Sequence, residues 1–132
     1  MAIKVVVVDA ALLPVGVEFP PPDLNQYGWE QYPELSADDV AERCRHADIL
    51  VTLATPITTE ILEKTLKLGL LVCVGEACTG VDQSAAASRG VEVLAFPDVD
   101  LIDFADAQDL CNRVTAAIEH YLHSIDNAGG DA

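Results

Sequence analysis

The architecture of this chain is announced by GLLVCVGEACTGVDQSAAASRGVEVLAFP, residues Gly69 to Pro97. Leu70 to Val74 is a short apolar run bounded by Gly69 and Gly75, the pattern of a strand buried on both faces. The loop Gly75–Gly80 follows, and Asp82 to Ser88 is alanine-rich and helix-permissive. Arg89 and Gly90 supply a basic last turn and a glycine C-cap. Val91 to Phe96 is the next strand. Such a βαβ unit sets its loop at the carboxyl end of the first strand, where open α/β sheets bind ligands. A glycine at each end lets the loop backbone approach an anion closely.

Outward from this unit the alternation repeats. Ile3 to Val8 is a continuous β-branched run, the mark of a central strand. It ends at Asp9, which is either a polar contact in the ligand crevice or a plain strand-terminating aspartate. Ala10 to Pro22 holds four of the seven prolines and reads as an irregular connection. Asp23 to Tyr27 fits a short helix capped near Gly28, and Trp29 to Tyr32 an edge strand stopped by Pro33. Ser36 is a good N-cap for a helix that buries Val40, Ala41, Cys44 and Ala47 and carries Arg43, Arg45 and His46 in its last turns. Ile49 to Leu53 is a third strand. Thr58 or Thr59 caps the helix after it, with Ile61, Leu62, Thr65, Leu66 and Leu68 as its apolar side. Pro97 to Asp100 starts a long final helix. Its stripe is Leu101, Phe104, Ala107, Cys111, Val114, Ile118, Tyr121 and Ile125, and Asp100, Asp103, Asp106 and Asp109 load its N-terminal half. The domain so defined spans residues 1–125, with 126–132 as a flexible tail.

The 132 residues fit one domain with a real core. A hydrophobic content of 51% and a mean hydropathy of +0.27 belong to a folded chain. Seven basic residues against 22 acidic ones give a net charge of −15, which repels nucleic acid and anionic membranes and favours solubility. Cys44, Cys73, Cys78 and Cys111 form no C-x-x-C pair and read as reduced thiols. With no signal peptide pattern and no apolar run of membrane length, the expectation is a cytoplasmic protein. His120 and His123 lie three apart on the final helix, but no cysteine or carboxylate spacing completes a metal set around them. No G-x-G-x-x-G follows any strand, so the chain shows no dinucleotide fingerprint.

The run Val74-Gly75-Glu76-Ala77-Cys78-Thr79-Gly80-Val81-Asp82, its alanine-rich helix, Arg89-Gly90 and the strand ending in Pro97 resemble the substrate domain of D-isomer-specific 2-hydroxyacid dehydrogenases, phosphoglycerate dehydrogenases among them. Ile3 to Asp9, Ala47 to Thr52 and Thr55 to Thr58 extend the resemblance, which covers most of residues 3–123. It implies a flavodoxin-like α/β fold, a five-stranded parallel sheet in order 2-1-3-4-5 with helices on both faces. It also implies that the loop Gly75–Gly80 holds a substrate carboxyl through main-chain amides, with Ala77, Cys78, Thr79 and Gly80 as the donors. The plain alternative is a β–α turn. Two departures stand out: Glu76 falls where these enzymes carry a basic residue, and Cys78 replaces a glycine. Cys78 reads either as a packed thiol or as one activated by the loop amides. The polar residues such enzymes often carry at Leu53 and Ala54 are missing, and nothing in this chain matches the family's catalytic arginine, glutamate and histidine. Three functions follow as expectations. One is a stand-alone module for a small 2-hydroxy or 2-oxo carboxylate, with Asp9 and Gly75 to Gly80 as substrate-binding residues and no catalytic or metal residue. Another is one subunit of a split dehydrogenase, where NAD(P) comes only with a nucleotide domain on a partner. The last is an interaction protein dimerising through Leu101–Ile125.

Overall fold

A computed structural model describes residues 3–24 and 26–130, with the backbone alone for 125–130. Five strands form one parallel sheet: β1 (Ile3–Val7), β2 (Tyr27–Gln31), β3 (Ile49–Thr52), β4 (Leu70–Val74) and β5 (Glu92–Phe96), in the order β2-β1-β3-β4-β5. The expected flavodoxin-like order 2-1-3-4-5 is therefore the observed one, with all four pairings parallel. The central strands are buried because successive valines and leucines feed opposite faces. Val6, Leu50 and Leu71 join the core beneath α1 (Ala37–Arg43), α2 (Thr59–Lys64) and α3 (Gln83–Ser88). Val5, Val7, Val51 and Val72 join the opposite core, covered by α4 (Phe104–Gly130).

Local signals set most element ends. Ser36 caps α1 through its hydroxyl, which accepts from Asp39 N, and Thr58 caps α2 by accepting from Ile61 N. Gly90, at φ +77, closes α3 in the left-handed region that favours glycine.

Several expectations are corrected. Among the described residues of Asp23 to Tyr27 there is no helix: Asp23 is a bend and Tyr27 already pairs with Ile3, because ladder bonds to β1 outcompete a short isolated turn. α1 ends at Arg43, so Arg45 and His46 sit in the turn beyond it. Leu66 lies past α2 and is 79% exposed. The last helix begins at Phe104, not near Pro97. Asp100 and Asp103 accept from the N–H groups of Ile102 and Asp106, which holds residues 100–103 in side-chain-capped turns. Its buried stripe is Ala107, Leu110, Cys111, Val114, Ile118 and Leu122, while Phe104 is half exposed. Leu110, Val114, Ile118 and Leu122 of that stripe pack on the chain's own sheet. The helix runs on to Gly130 through most of the expected tail; Asp131 and Ala132 lie outside the described residues, as does the side chain of Ile125.

Candidate functional site

The carboxyl edge of the sheet gathers the turns after β1, β3 and β4. At the switch point between β1 and β3 stands Asp9, 4% exposed. One carboxylate oxygen accepts from Leu53 N at 2.8 Å; the other accepts from Ala54 N at 2.8 Å, Thr55 N at 3.0 Å and Thr55 Oγ1 at 2.9 Å. Thr52 Oγ1 stands 3.5 Å from the same oxygen and donates to Thr55 O at 2.7 Å. Main-chain N–H groups converging on one anion make the kind of concavity that binds carboxylates. Here the chain's own carboxylate fills it, so Asp9 positions the β3–α2 loop. Thr52 and Thr55 were absent from the expected site. The signal available was an aspartate ending one parallel strand beside a Thr-x-x-Thr run ending another.

The loop Gly75–Gly80 is not irregular. Gly75–Thr79 is a 3-10 turn, entered through Gly75 at φ +58. In such a turn each N–H reaches back to the carbonyl three residues earlier, and Gly80 N donates to Ala77 O at 3.1 Å. The amides expected to face a ligand, from Ala77 to Gly80, are therefore directed along the turn. The turn's own bonds leave out the first two amides, and of these Gly75 N–H lies on the β4–β5 ladder beyond the Val74–Phe96 pair, which leaves that of Glu76. Glu76 and Thr79 are exposed, Gly75, Cys78 and Gly80 half-buried, and Ala77 buried. Thr79 Oγ1 donates to Glu76 O at 2.8 Å. Cys78 carries no positive φ, so the loss of glycine there strains nothing. Its Sγ donates to Cys73 O at 3.2 Å and lies beside the Cys73 thiol. Burial, then the bond to Cys78, pushes that thiol up to about 12.

The two turns touch. A Cβ on Gly80 would stand 2.8 Å from Pro56 Cβ, so only glycine admits this approach. Thr59 Oγ1 also donates to Asp82 at 2.7 Å, and Asp82 caps α3 by accepting from Ala85 N at 2.9 Å. The Thr59 hydroxyl, and after it the Ala85 N–H, hold the Asp82 carboxyl below its usual range. Asp9 thus fixes the β3–α2 loop, and α2 is tied to the start of α3. The other titratable candidates lie elsewhere: His120 and His123 on α4, His46 after α1. Among the described residues no cluster of three His, Cys, Asp or Glu side chains could hold a metal ion.

Fold and edge together define an open, doubly wound α/β domain whose turns after β1, β3 and β4 are locked into one surface at the sheet's carboxyl end. Residues 6–120 match the family described as D-isomer specific 2-hydroxyacid dehydrogenase, catalytic domain, and the chain belongs to that family. It is 30% identical over 90 residues to a putative 2-hydroxyacid dehydrogenase of Haemophilus influenzae, covering 68% of this chain and 28% of that protein. It is 30% identical over 73 residues to a D-3-phosphoglycerate dehydrogenase of Methanocaldococcus jannaschii, covering 54% of this chain and 14% of that protein. The chain thus spans less than a third of either relative. Among solved structures, the NAD+-bound 3-phosphoglycerate dehydrogenase of Entamoeba histolytica superposes with a TM-score of 0.54 at 18% identity, over 72% of this chain and 33% of that one. The apo D-lactate dehydrogenase of Escherichia coli gives 0.54 at 14% identity, over 74% and 32%. These two likenesses concern the fold.

The nucleotide cofactor such enzymes use finds no matching cradle in the turn after β1. Residues Asp9 to Leu13 contain no glycine, and the Asp9 carboxylate occupies the donors at the switch point, where a pyrophosphate would meet like charge. Among the described residues no helix is long and apolar enough to cross a membrane.

Proposed function

We propose that this chain is the carboxylate-recognising part of a 2-hydroxyacid dehydrogenase-type system. A small 2-hydroxy or 2-oxo acid docks against the 3-10 turn Gly75–Thr79, at the start of which the Glu76 amide lies. Hydride transfer then requires a nucleotide domain beyond these residues, and NAD(P) comes with that domain. The observation that carries the reading is the family match over residues 6–120, which includes every turn of the carboxyl edge. Packing of Gly80 on Pro56 supports it, because a surface of two interlocked turns needs little ordering when a ligand arrives.

Glu76 sets the affinity. Its exposed side chain puts a negative charge on the turn that would meet the acid, which weakens binding of any anion. Replacing it should therefore reveal the site. Glu76→Arg is expected to tighten binding of a 2-oxo acid by about tenfold, on the scale of one charge-assisted hydrogen bond. Calorimetric titration of both proteins with a panel of 2-hydroxy and 2-oxo acids, with simple acetate as control, measures this. If no acid binds either protein more tightly than acetate does, the reading fails.

A further inference from the structure

One edge of the sheet is left open in a way that selects its own partner. β5 is the last strand in the order, with β4 as its one neighbour. Glu92 N donates to Gly69 O at 2.9 Å, so the main-chain groups of Glu92, Leu94 and Phe96 turn toward β4. Those of Val93 and Ala95 turn outward, because successive residues of a strand alternate. Glu92 is the one charged residue on this strand, which holds no proline or lysine between Glu92 and Phe96 and is ended by Pro97. The opposite edge differs. On β2 the Glu30 carboxylate is paired with Lys4 at 2.8 Å and accepts from Tyr32 Oη at 2.6 Å.

Beside the open edge runs a groove of about 520 Å³ between β5 and α4. Leu94, Phe96, Ala116 and Tyr121 give it apolar lining, and Glu92, Arg113 and His120 line it as well. The Arg113 guanidinium sits over the Phe96 ring, 5.2 Å from its centroid. It is half exposed and paired with Asp109 at 3.2 Å, a surface contact that restrains it weakly.

We propose that this edge and groove form a two-fold interface with a second copy of the same chain, the two β5 strands pairing antiparallel about Leu94. The register follows from the strand itself. A two-fold axis at Leu94 sets Val93 opposite the partner's Ala95, and these are the residues whose main-chain groups face outward. It sets Glu92 opposite the partner's Phe96, on the same face of the joined sheet, and Arg113 covers Phe96. Each Glu92 carboxylate therefore arrives beside the Arg113 guanidinium of the other copy, and the pairing occurs twice by symmetry. The match of hydrogen-bonding residues, apolar groove and opposite charges within one register is what selects a second copy over an unrelated chain. Extending the sheet also removes the unpaired edge. The interface is independent of the proposed carboxylate site, since it uses none of the residues from Gly75 to Gly80.

Sedimentation equilibrium or light scattering of the purified chain tests the proposal. The wild type is expected at twice its 14.1 kDa chain mass at micromolar concentration. Ala95→Pro removes an outward N–H on an exposed residue and should give monomer. Glu92→Arg and Arg113→Glu should each weaken association about tenfold, and the double exchange should restore most of it. Circular dichroism checks that the variants stay folded; both charged side chains lie at the surface, so the exchange does not depend on the proline variant. A monomeric wild type would overturn the proposal, whether the groove then serves a small molecule or another protein. So would a dimer indifferent to Ala95→Pro, or one not restored by the double exchange.

Discussion

Three main-chain N–H groups and the Thr55 hydroxyl meet on the Asp9 carboxylate, which is 4% exposed, so no water stands ready to replace it. Removing a buried acceptor strands each donor that used it, and a stranded donor costs more than a hydrogen bond contributes. Asp9→Ala should therefore destabilise the fold by about 3 kcal/mol, read as a lower urea midpoint. Millimolar acetate or formate should recover part of that loss in the variant and do nothing for the wild type, since the vacated donors suit a small carboxylate. A loss below about 1 kcal/mol would mean that the loop reorganises without its anchor. This role was only half legible in the sequence. A carboxylate after a buried strand marks the crevice edge, yet what it bonds depends on the register of β1 against β3, in which Val7 pairs with Val51. The shape of the turn Gly75–Thr79 is not legible for a related reason: glycines at both ends permit an open loop and a tight 3-10 turn alike.

Among the elements, the strands were legible because continuous β-branched and apolar runs of strand length have few alternatives, as in Ile3–Val7 and Leu70–Val74. The start of the last helix was not, since Asp100 and Asp103 compete for the backbone of their own turns. Its exact stripe was also missed, because one apolar residue per turn omits the flanking Leu110 and Leu122 that widen the buried face. The β1–β2 edge yields a pH test. The Lys4 ammonium, with the Tyr32 hydroxyl next, holds the Glu30 carboxyl below its ordinary value. A carboxyl depressed in the folded state stabilises above its unfolded value, and that contribution is lost as pH falls through the depressed one. Both side chains are about a third exposed or more, so screening keeps the contribution below about 1 kcal/mol. Lys4→Met should thus be slightly less stable than wild type at pH 7, and the gap should close on acidification below about pH 4.5. Urea titrations of both proteins between pH 3 and 7 measure the gap; one that widens toward acid contradicts this assignment.

At the scale of the whole molecule, charge opposes compactness. The chain carries 22 acidic residues against seven basic ones. The three ion pairs found among the described residues use Lys4, Arg45 and Arg113, and the latter two are local pairs on the surface. Most carboxylates therefore face one another across solvent, with Asp100, Asp103, Asp106 and Asp109 crowded around the start of α4. What holds the sheet together against this repulsion is the two-sided apolar core, which salt at moderate concentration hardly affects. Screening should then favour the folded state, because the Debye length falls to about 10 Å at 0.1 M and shrinks further above it. At fixed chain concentration the urea midpoint is expected to rise between about 0.02 and 0.5 M sodium chloride, most steeply at the low end where screening changes fastest. The rise should be smaller at pH 4 than at pH 7, since protonation of the carboxylates removes the charge that salt would otherwise screen. A midpoint that is flat or falls with salt at pH 7 would show that the few ion pairs outweigh the acidic excess, and that the molecule is held by its surface charges as much as by its core.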